Sequence, residues 1–249
     1  MKTNIKMIYM PRVDSTNREL FRLLETKTFP EGTVLWTDEQ YSGKGMGNAI
    51  WDSRKGLNIT ASFLLFPKFL KPENQFYLNK AVSLSVLDTV VALLDGKYKT
   101  KIKWPNDILV DEKKIAGILI ENTIQGSVIK FSVAGIGINV NQTKFTDYQI
   151  PPTSLKLLTG KSYVVSECID ILSQSLQNRY NLLKNNSKET LDNAYLSKLY
   201  RFQTISNYRT NTGSFQAKIC GIDNFGKLLL EKMDGKVEAF DFKEVQFLV

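Results

Sequence analysis

The stretch Lys103-Trp104-Pro105-Asn106-Asp107, followed after six residues by Lys114-Ile115-Ala116-Gly117-Ile118-Leu119-Ile120-Glu121, carries most of the meaning of this chain. Pro105 has no N–H and pushes Trp104 into an extended conformation, so a strand is interrupted here. Asn106 and Asp107 then start a new strand that runs to Val110. Asp111-Glu112-Lys113 turns the chain, and Lys114 opens a returning strand that runs to Glu121. Such a hairpin places Asp107 and Lys114 near the same end of a sheet. A carboxylate and a lysine on rigid strands beside Gly117 suit a small anionic substrate, but a surface hairpin with a charged end would carry the same residues.

Two further segments bear on the choice. The first is Asp38-Glu39-Gln40-Tyr41-Ser42-Gly43-Lys44-Gly45-Met46-Gly47-Asn48-Ala49-Ile50-Trp51, which follows a short apolar run at 33–36 that reads as a strand. Its glycines alternate, so backbone N–H groups can wrap an anion, and Lys44 adds a positive charge. The spacing is neither that of the G-x-x-x-x-G-K-[ST] loop nor that of a dinucleotide fingerprint, and a flexible turn would look the same. An apolar strand follows at 59–66. The second segment is Ala134-Gly135-Ile136-Gly137-Ile138-Asn139-Val140-Asn141. Strand alternation puts Gly135, Gly137, Asn139 and Asn141 on one face and Ile136, Ile138 and Val140 on the other. The apolar face is core; the glycine face leaves room for a ligand edge or for close strand packing.

In this order, and with Asp14-Ser15-Thr16-Asn17 ahead of them, the three segments resemble those of the biotin–protein ligases, from about Val13 to the C-terminus. The resemblance implies roles residue by residue. Ser15, Thr16 and Gln40, in the signature that includes Asn17, would hydrogen-bond the ureido ring of biotin. Gly43, Lys44, Gly45 and Met46 would belong to the loop that closes over biotin and the adenylate, and Trp51 would pack on the adenine. Asn106 and Asp107 would lie at the metal and phosphate end, with Asp107 near the acceptor lysine. Lys114 would bridge the biotin carboxylate and the α-phosphate, Gly117 would admit biotin to the strand backbone, and Asn139 would reach adenine or ribose. One departure concerns the loop: counted back from Trp51, the places of a basic residue and a following glycine hold Met46, Gly47 and Asn48. The loop thus offers one cation, Lys44, where many relatives have several.

The resemblance also implies a fold: an α/β (α+β) catalytic domain with a mixed sheet, of the class II synthetase and biotin–lipoyl ligase type, over residues 1–203. A small SH3-like β-barrel would follow over residues 204–249. It implies ATP and Mg²⁺ as cofactors and biotin as substrate. A biotin carboxyl carrier protein would be the acceptor, and the enzyme a cytoplasmic monomer or homodimer. Biotin's carboxylate would attack the α-phosphate of ATP, and the acceptor lysine would then attack the biotinyl-5′-adenylate. Two alternatives stay open. A lipoate- or octanoate-protein ligase would need an apolar channel where Ser15, Thr16 and Gln40 sit. A biotin-binding protein that has lost turnover would account for the altered loop.

Composition agrees with this. A chain of 249 residues fits one large domain and a small one, and 43% hydrophobic residues supply an ordinary core. No run of consecutive apolar residues approaches a membrane span, and residues 1–14 lack a signal-peptide stretch, so no membrane partner is expected. The absence of histidine excludes Ser-His-Asp and Cys-His nucleophile systems and histidine–metal sites. The two cysteines, Cys168 and Cys220, have no metal spacing, so no metal ligands are assigned within the chain. The net charge of +8 is spread along the chain without a basic helix or an RNA-binding signature. Only residues 1–13 precede Asp14, so the winged helix-turn-helix of larger relatives is expected to be missing and no specific nucleic acid is expected.

The remaining pattern is coarse. Thr16 with Glu19 resembles a capping box, and Leu20, Leu23 and Leu24 give the next helix an apolar face. A long apolar helix is expected over 75–94, and a short one starts at Thr153-Ser154-Leu155 and stops near Gly160. Ile169, Leu172, Leu176 and Leu183 stripe another. From about Thr204 the pattern becomes short strands with turns at Asn224-Phe225-Gly226 and Asp234-Gly235.

Overall fold

The computed structural model describes residues 5–47, 49–146, 148 and 150–248. Seven strands form the main sheet: β1 (Met7–Val13), β2 (Val34–Gln40), β3 (Ile59–Leu65), β4 (Thr100–Lys103), β5 (Asp107–Val110), β6 (Lys113–Gln125) and β7 (Val128–Ile138). Their order is β1-β2-β3-β7-β6-β5-β4; β1 runs parallel to β2 and the other pairs are antiparallel. The sheet is therefore mixed, as expected.

Alternation along the strands sorts the side chains into two layers. Val34, Ile59, Ala61, Phe63, Ala134, Ile136 and Ile138 face one large core, while Leu35, Leu64 and Val133 face a smaller one with Leu20. Helix α1 (Thr16–Thr26) lies on the small core. Helices α2 (Phe76–Leu93), α4 (Val165–Lys184) and α5 (Lys188–Lys198) lie on the large one, and the short α3 (Leu155–Thr159) precedes α4. Ser154 caps α3 by accepting from the Leu157 N–H, and Gly160 ends it in the left-handed conformation. One expectation changes here. The segment Pro72–Leu93 does have the length and apolarity of a membrane span, at a mean hydropathy of 1.3. Its residues are mostly buried between the sheet and α4, which is what a helix apolar on all sides needs.

The capping box does not form. Thr16 is the first helical residue rather than the cap, Ser15 holds the cap position without a side-chain bond, and Glu19 pairs with Arg22. The strand expected at 33–36 continues to Gln40, and the one expected to end at Glu121 continues to Gln125. Strand β1 and helix α5 were not foreseen.

The strands expected after Thr204 form a second, antiparallel sheet. It contains β8 (Ile205–Thr210), β9 (Gly213–Ile222), β10 (Leu228–Lys232), β11 (Val237–Phe240) and β12 (Gln246–Phe247), in the order β11-β10-β9-β8-β12. Trp104 ties it to the main sheet: its indole N–H donates to the Gly226 carbonyl at 2.9 Å and its ring meets Phe242 edge-on. The large core continues into the second sheet through Tyr208, Ile219 and Leu228.

Candidate active site

Register fixes the floor of the site. Thr60 pairs with Gly137, Gly137 with Gly117, and Gly117 with Asp107, so these four form one row across β3, β7, β6 and β5. The row faces away from the large core. Above it opens a cleft of about 730 Å³, walled by the start of α1, the glycine loop and the edge of the second sheet.

Lys114 reaches this face through a local irregularity. It lies three residues from Gly117, so in a regular strand the two would point to opposite faces. The register of β5 against β6 shifts between Ile108 and Leu109, and Ile115 and Ala116, though adjacent, are both fully buried in the large core. This bulge turns Lys114 back to the site face. There its ammonium lies 2.7 Å from the Asp107 carboxylate, both groups being half-buried. The hairpin turn is tight: Asp111 and Glu112 both have positive φ, as a two-residue turn between twisted strands requires. The Lys114 backbone is held from the other side, its N–H donating to the Pro151 carbonyl and its carbonyl accepting from the Thr153 N–H.

The glycine face is occupied by side chains. The Trp51 indole lies against Gly137 so closely that a methyl group there would overlap the ring, and a methyl at Gly117 would stand 3.2 Å from it. At Gly135 the crowding atom is Asn17 Oδ1. The room expected beside these glycines is therefore filled by Trp51 and Asn17. The Trp51 indole N–H is buried and has no hydrogen-bond partner among the described residues.

At the α1 end the polar groups are linked. Gln40 Oε1 accepts from the Thr16 N–H at 2.8 Å and lies 3.3 Å from its hydroxyl. The Ser62 hydroxyl lies 2.7 Å from Thr16 Oγ1 and 2.6 Å from Asn17 Oδ1. The Asn17 amide donates to Glu121 at 2.7 Å and to the Leu119 carbonyl. Behind them Asp14 accepts from the Ser15 N–H and is clamped by Arg22, whose guanidinium holds this carboxyl far below the usual carboxylate range. Ser62 and Glu121 were missed by the sequence reading. Thr60 and Ser62, polar at alternate places in an apolar strand, were the available signal.

The glycine loop closes as a small hairpin. Lys44 bridges Ile50, the Gly45 N–H donates to Ala49 at 2.8 Å, and the Trp51 N–H donates to Gly43. Gly43 is needed because a side chain there would overlap the Gln40 amide and crowd the Trp51 carbonyl. Lys44, Gly45 and Met46 line the cleft; Asn48 lies outside the described residues.

Asn106 lines the cleft and donates to the Ile118 carbonyl at 2.6 Å, fixing the start of β5 on β6. Asn139 departs from expectation. Strand β7 ends at Ile138, so the alternation stops, and the buried Asn139 amide turns to donate to the Thr153 carbonyl. It is not among the residues lining the cleft.

The electrostatics favour anions. Lys44, Lys103, Lys113, Lys114, Arg201 and Lys243 line the cleft against Asp107, Asp111 and Glu112. Burial lowers the pKa of Lys103, with Lys114 and Arg201 adding repulsion and Asp107 opposing it. Among the described residues no three His, Cys, Asp or Glu side chains gather as a metal site. Asp107 could give a carboxylate oxygen to Mg²⁺, which commonly takes one or two carboxylates plus substrate phosphates and water.

Three comparisons bear on this geometry. The biotin/lipoate A/B protein ligase family matches residues 9–139. The bifunctional ligase/repressor BirA of Bacillus spizizenii is 32% identical over 237 residues, covering 92% of this chain and 70% of that protein. The biotin–[acetyl-CoA-carboxylase] ligase of Paracoccus denitrificans is 26% identical, covering 91% and 95%. Among solved structures, the biotin protein ligase from Aquifex aeolicus in complex with biotin and ATP superposes with a TM-score of 0.80 at 26% identity, over 98% of this chain and 99% of that one.

Proposed function

As this chain belongs to the biotin/lipoate A/B protein ligase family, we propose that it is a biotin–protein ligase working in two steps. Biotin and ATP give biotinyl-5′-adenylate and pyrophosphate. A lysine of a biotin carboxyl carrier protein then takes the biotinyl group and AMP leaves. The observation that carries this reading is that one cleft joins two unlike ends. The hydroxyl and amide groups of Ser15, Thr16 and Gln40 stand at one end, and the Lys114–Asp107 pair at the other.

The first end suits a ureido ring, whose N–H and C=O groups need partners when buried. Lipoate offers no such groups and would leave this network unpaired. At the second end a carboxylate must approach a phosphate, and two anions repel. Lys114 stands between them as a fixed cation, and Asp107 orients its ammonium. Mg²⁺, when bound, would neutralise further phosphate charge, with Asp107 supplying a protein carboxylate. No covalent nucleophile is required of the protein. Trp51 would leave the glycine floor to cover the nucleotide base, where its indole N–H would find a partner. A cytoplasmic setting fits the free Cys168 and Cys220.

The test is direct. The protein is incubated with ATP, Mg²⁺ and either biotin or lipoate, and the acyl-adenylate is sought by mass spectrometry. Biotinyl-adenylate alone is the expected product. Lipoyl-adenylate in equal yield would move the assignment to a lipoate ligase, and no adenylate with either acid would refute turnover.

A further inference from the structure

We infer that Lys243, carried by the second sheet, is a nucleotide-binding residue of this ligase that grips the triphosphate of ATP over the glycine loop. The inference rests on the ligase reading and concerns a residue that the motifs of the first 140 positions do not reach. Lys243 sits in the turn between β11 and β12, with φ +72. A lysine takes this left-handed conformation only when the surroundings impose it. The turn is pinned by its own carboxylates. The Phe242 N–H donates to Asp241 Oδ1 at 2.7 Å, and the Asp241 N–H donates to Glu244 Oε2 at 2.6 Å. The Glu244 N–H closes the turn onto the Asp241 carbonyl at 3.1 Å.

Two acidic neighbours are thereby engaged with backbone, and no described carboxylate pairs with Lys243. Its side chain reaches across to the glycine loop. A methyl group on Gly47 would overlap its ammonium and stand 2.8 Å from its Cε. Gly47 itself has φ +66 and no side chain to hinder the approach. Lys44 is the single cation among the described loop residues 42–47. Lys243 supplies a second from the opposite wall of the same cleft. An ammonium with no described carboxylate partner, lying 5.8 Å from the Phe242 ring centroid and against Gly47, is suited to phosphate oxygens. Lys114 and Asp107 lie on the cleft floor, so Lys243 serves the nucleotide and not the biotin carboxylate.

Lys243→Gly provides the decisive variant. It removes the ammonium and gives the turn the residue its backbone prefers, so the thermal midpoint should stay or rise. Pyrophosphate release should show the KM for ATP raised about tenfold, with the KM for biotin within about twofold. Lys243→Arg should retain most of the ATP affinity, and Lys243→Glu should weaken it beyond the glycine variant. Titration of a non-hydrolysable ATP analogue reads the same order without turnover. If the natural sequence makes no adenylate, the ligase reading fails while that titration still judges Lys243. Analogue affinity unchanged in Lys243→Gly and Lys243→Glu would overturn the inference. A rise confined to the KM for the acceptor protein would overturn it as well and move Lys243 to acceptor docking.

Discussion

Replacing Lys114 by alanine tests the chemistry at its centre. At an effective dielectric of about 20, opposite unit charges about 4 Å apart attract by about 4 kcal/mol. Part of that attraction exists already when biotin and ATP are bound. If about 2.7 kcal/mol belongs to the transition state alone, adenylate formation should slow about a hundredfold. The structure adds a second loss. The Asp107 carboxylate, 2.7 Å from the Lys114 ammonium, would be left facing two incoming anions. Its repulsion should bring about another tenfold. The double variant Lys114→Ala with Asp107→Asn should therefore be faster than Lys114→Ala alone, although Asp107→Asn by itself slows the enzyme. Single-turnover release of pyrophosphate at saturating biotin and ATP measures all four proteins, and biotin affinity should change far less than the rate. Near-normal rates in Lys114→Ala would refute the bridging role. Strict additivity in the double variant would show that the ion pair has no part in it.

Gly137→Ala should drive the Trp51 indole off the sheet and cost stability of about 1–3 kcal/mol; adding Trp51→Ala should recover most of it, as read from urea midpoints. Gly226→Ala combines a φ of +94 with overlap on Phe76, 2.7 Å from its Cγ, and should cost about 2–4 kcal/mol in the same assay. Lys103 has a folded pKa below its ordinary value, so the unfolded chain binds the extra proton between the two. Stability contributed by this group should rise with pH across that window and ATP affinity should fall. Lys103→Met should flatten both profiles. Asp14 has a lowered pKa, so its contribution is present above the ordinary carboxylate range and lost as pH falls through the folded value. Asp14→Asn should weaken the protein at neutral pH and remove that part of its acid sensitivity.

The hairpin was legible because each of its parts carries a local signal. Pro105 stops a strand, Asp111-Glu112 can adopt positive φ, and the apolar run from Ile115 alternates closely enough to read as a strand. The floor glycines were legible by the same alternation, which failed at Asn139 because the strand ends one residue earlier. Strand β1 was hidden by Pro11, which an edge strand tolerates because one side of it needs no partner. Helix α5 buries only Leu191 and Tyr195, too thin a stripe to stand out. The cations Arg201 and Lys243 join the cleft through tertiary closure alone, and no spacing along the chain announces them. Trp51 was read as an adenine partner, but its seat on Gly137 depends on contacts between distant segments.

The bulge before Gly117 makes the site depend on a count of residues as much as on their identity. Lys114 faces the cleft because one extra residue is fitted into β6 opposite β5. If the bulge were straightened with every residue kept, strict alternation from Gly117 would still present Ala116 and Ile118 to the core but would turn Ile115 toward the cleft. The lysine would then point into the apolar layer under α2, and the cleft would hold Asp107 without its cation. Such a protein would keep its outline and lose its chemistry. In chains of this kind, the interval from lysine to glycine is therefore as informative as the two residues themselves.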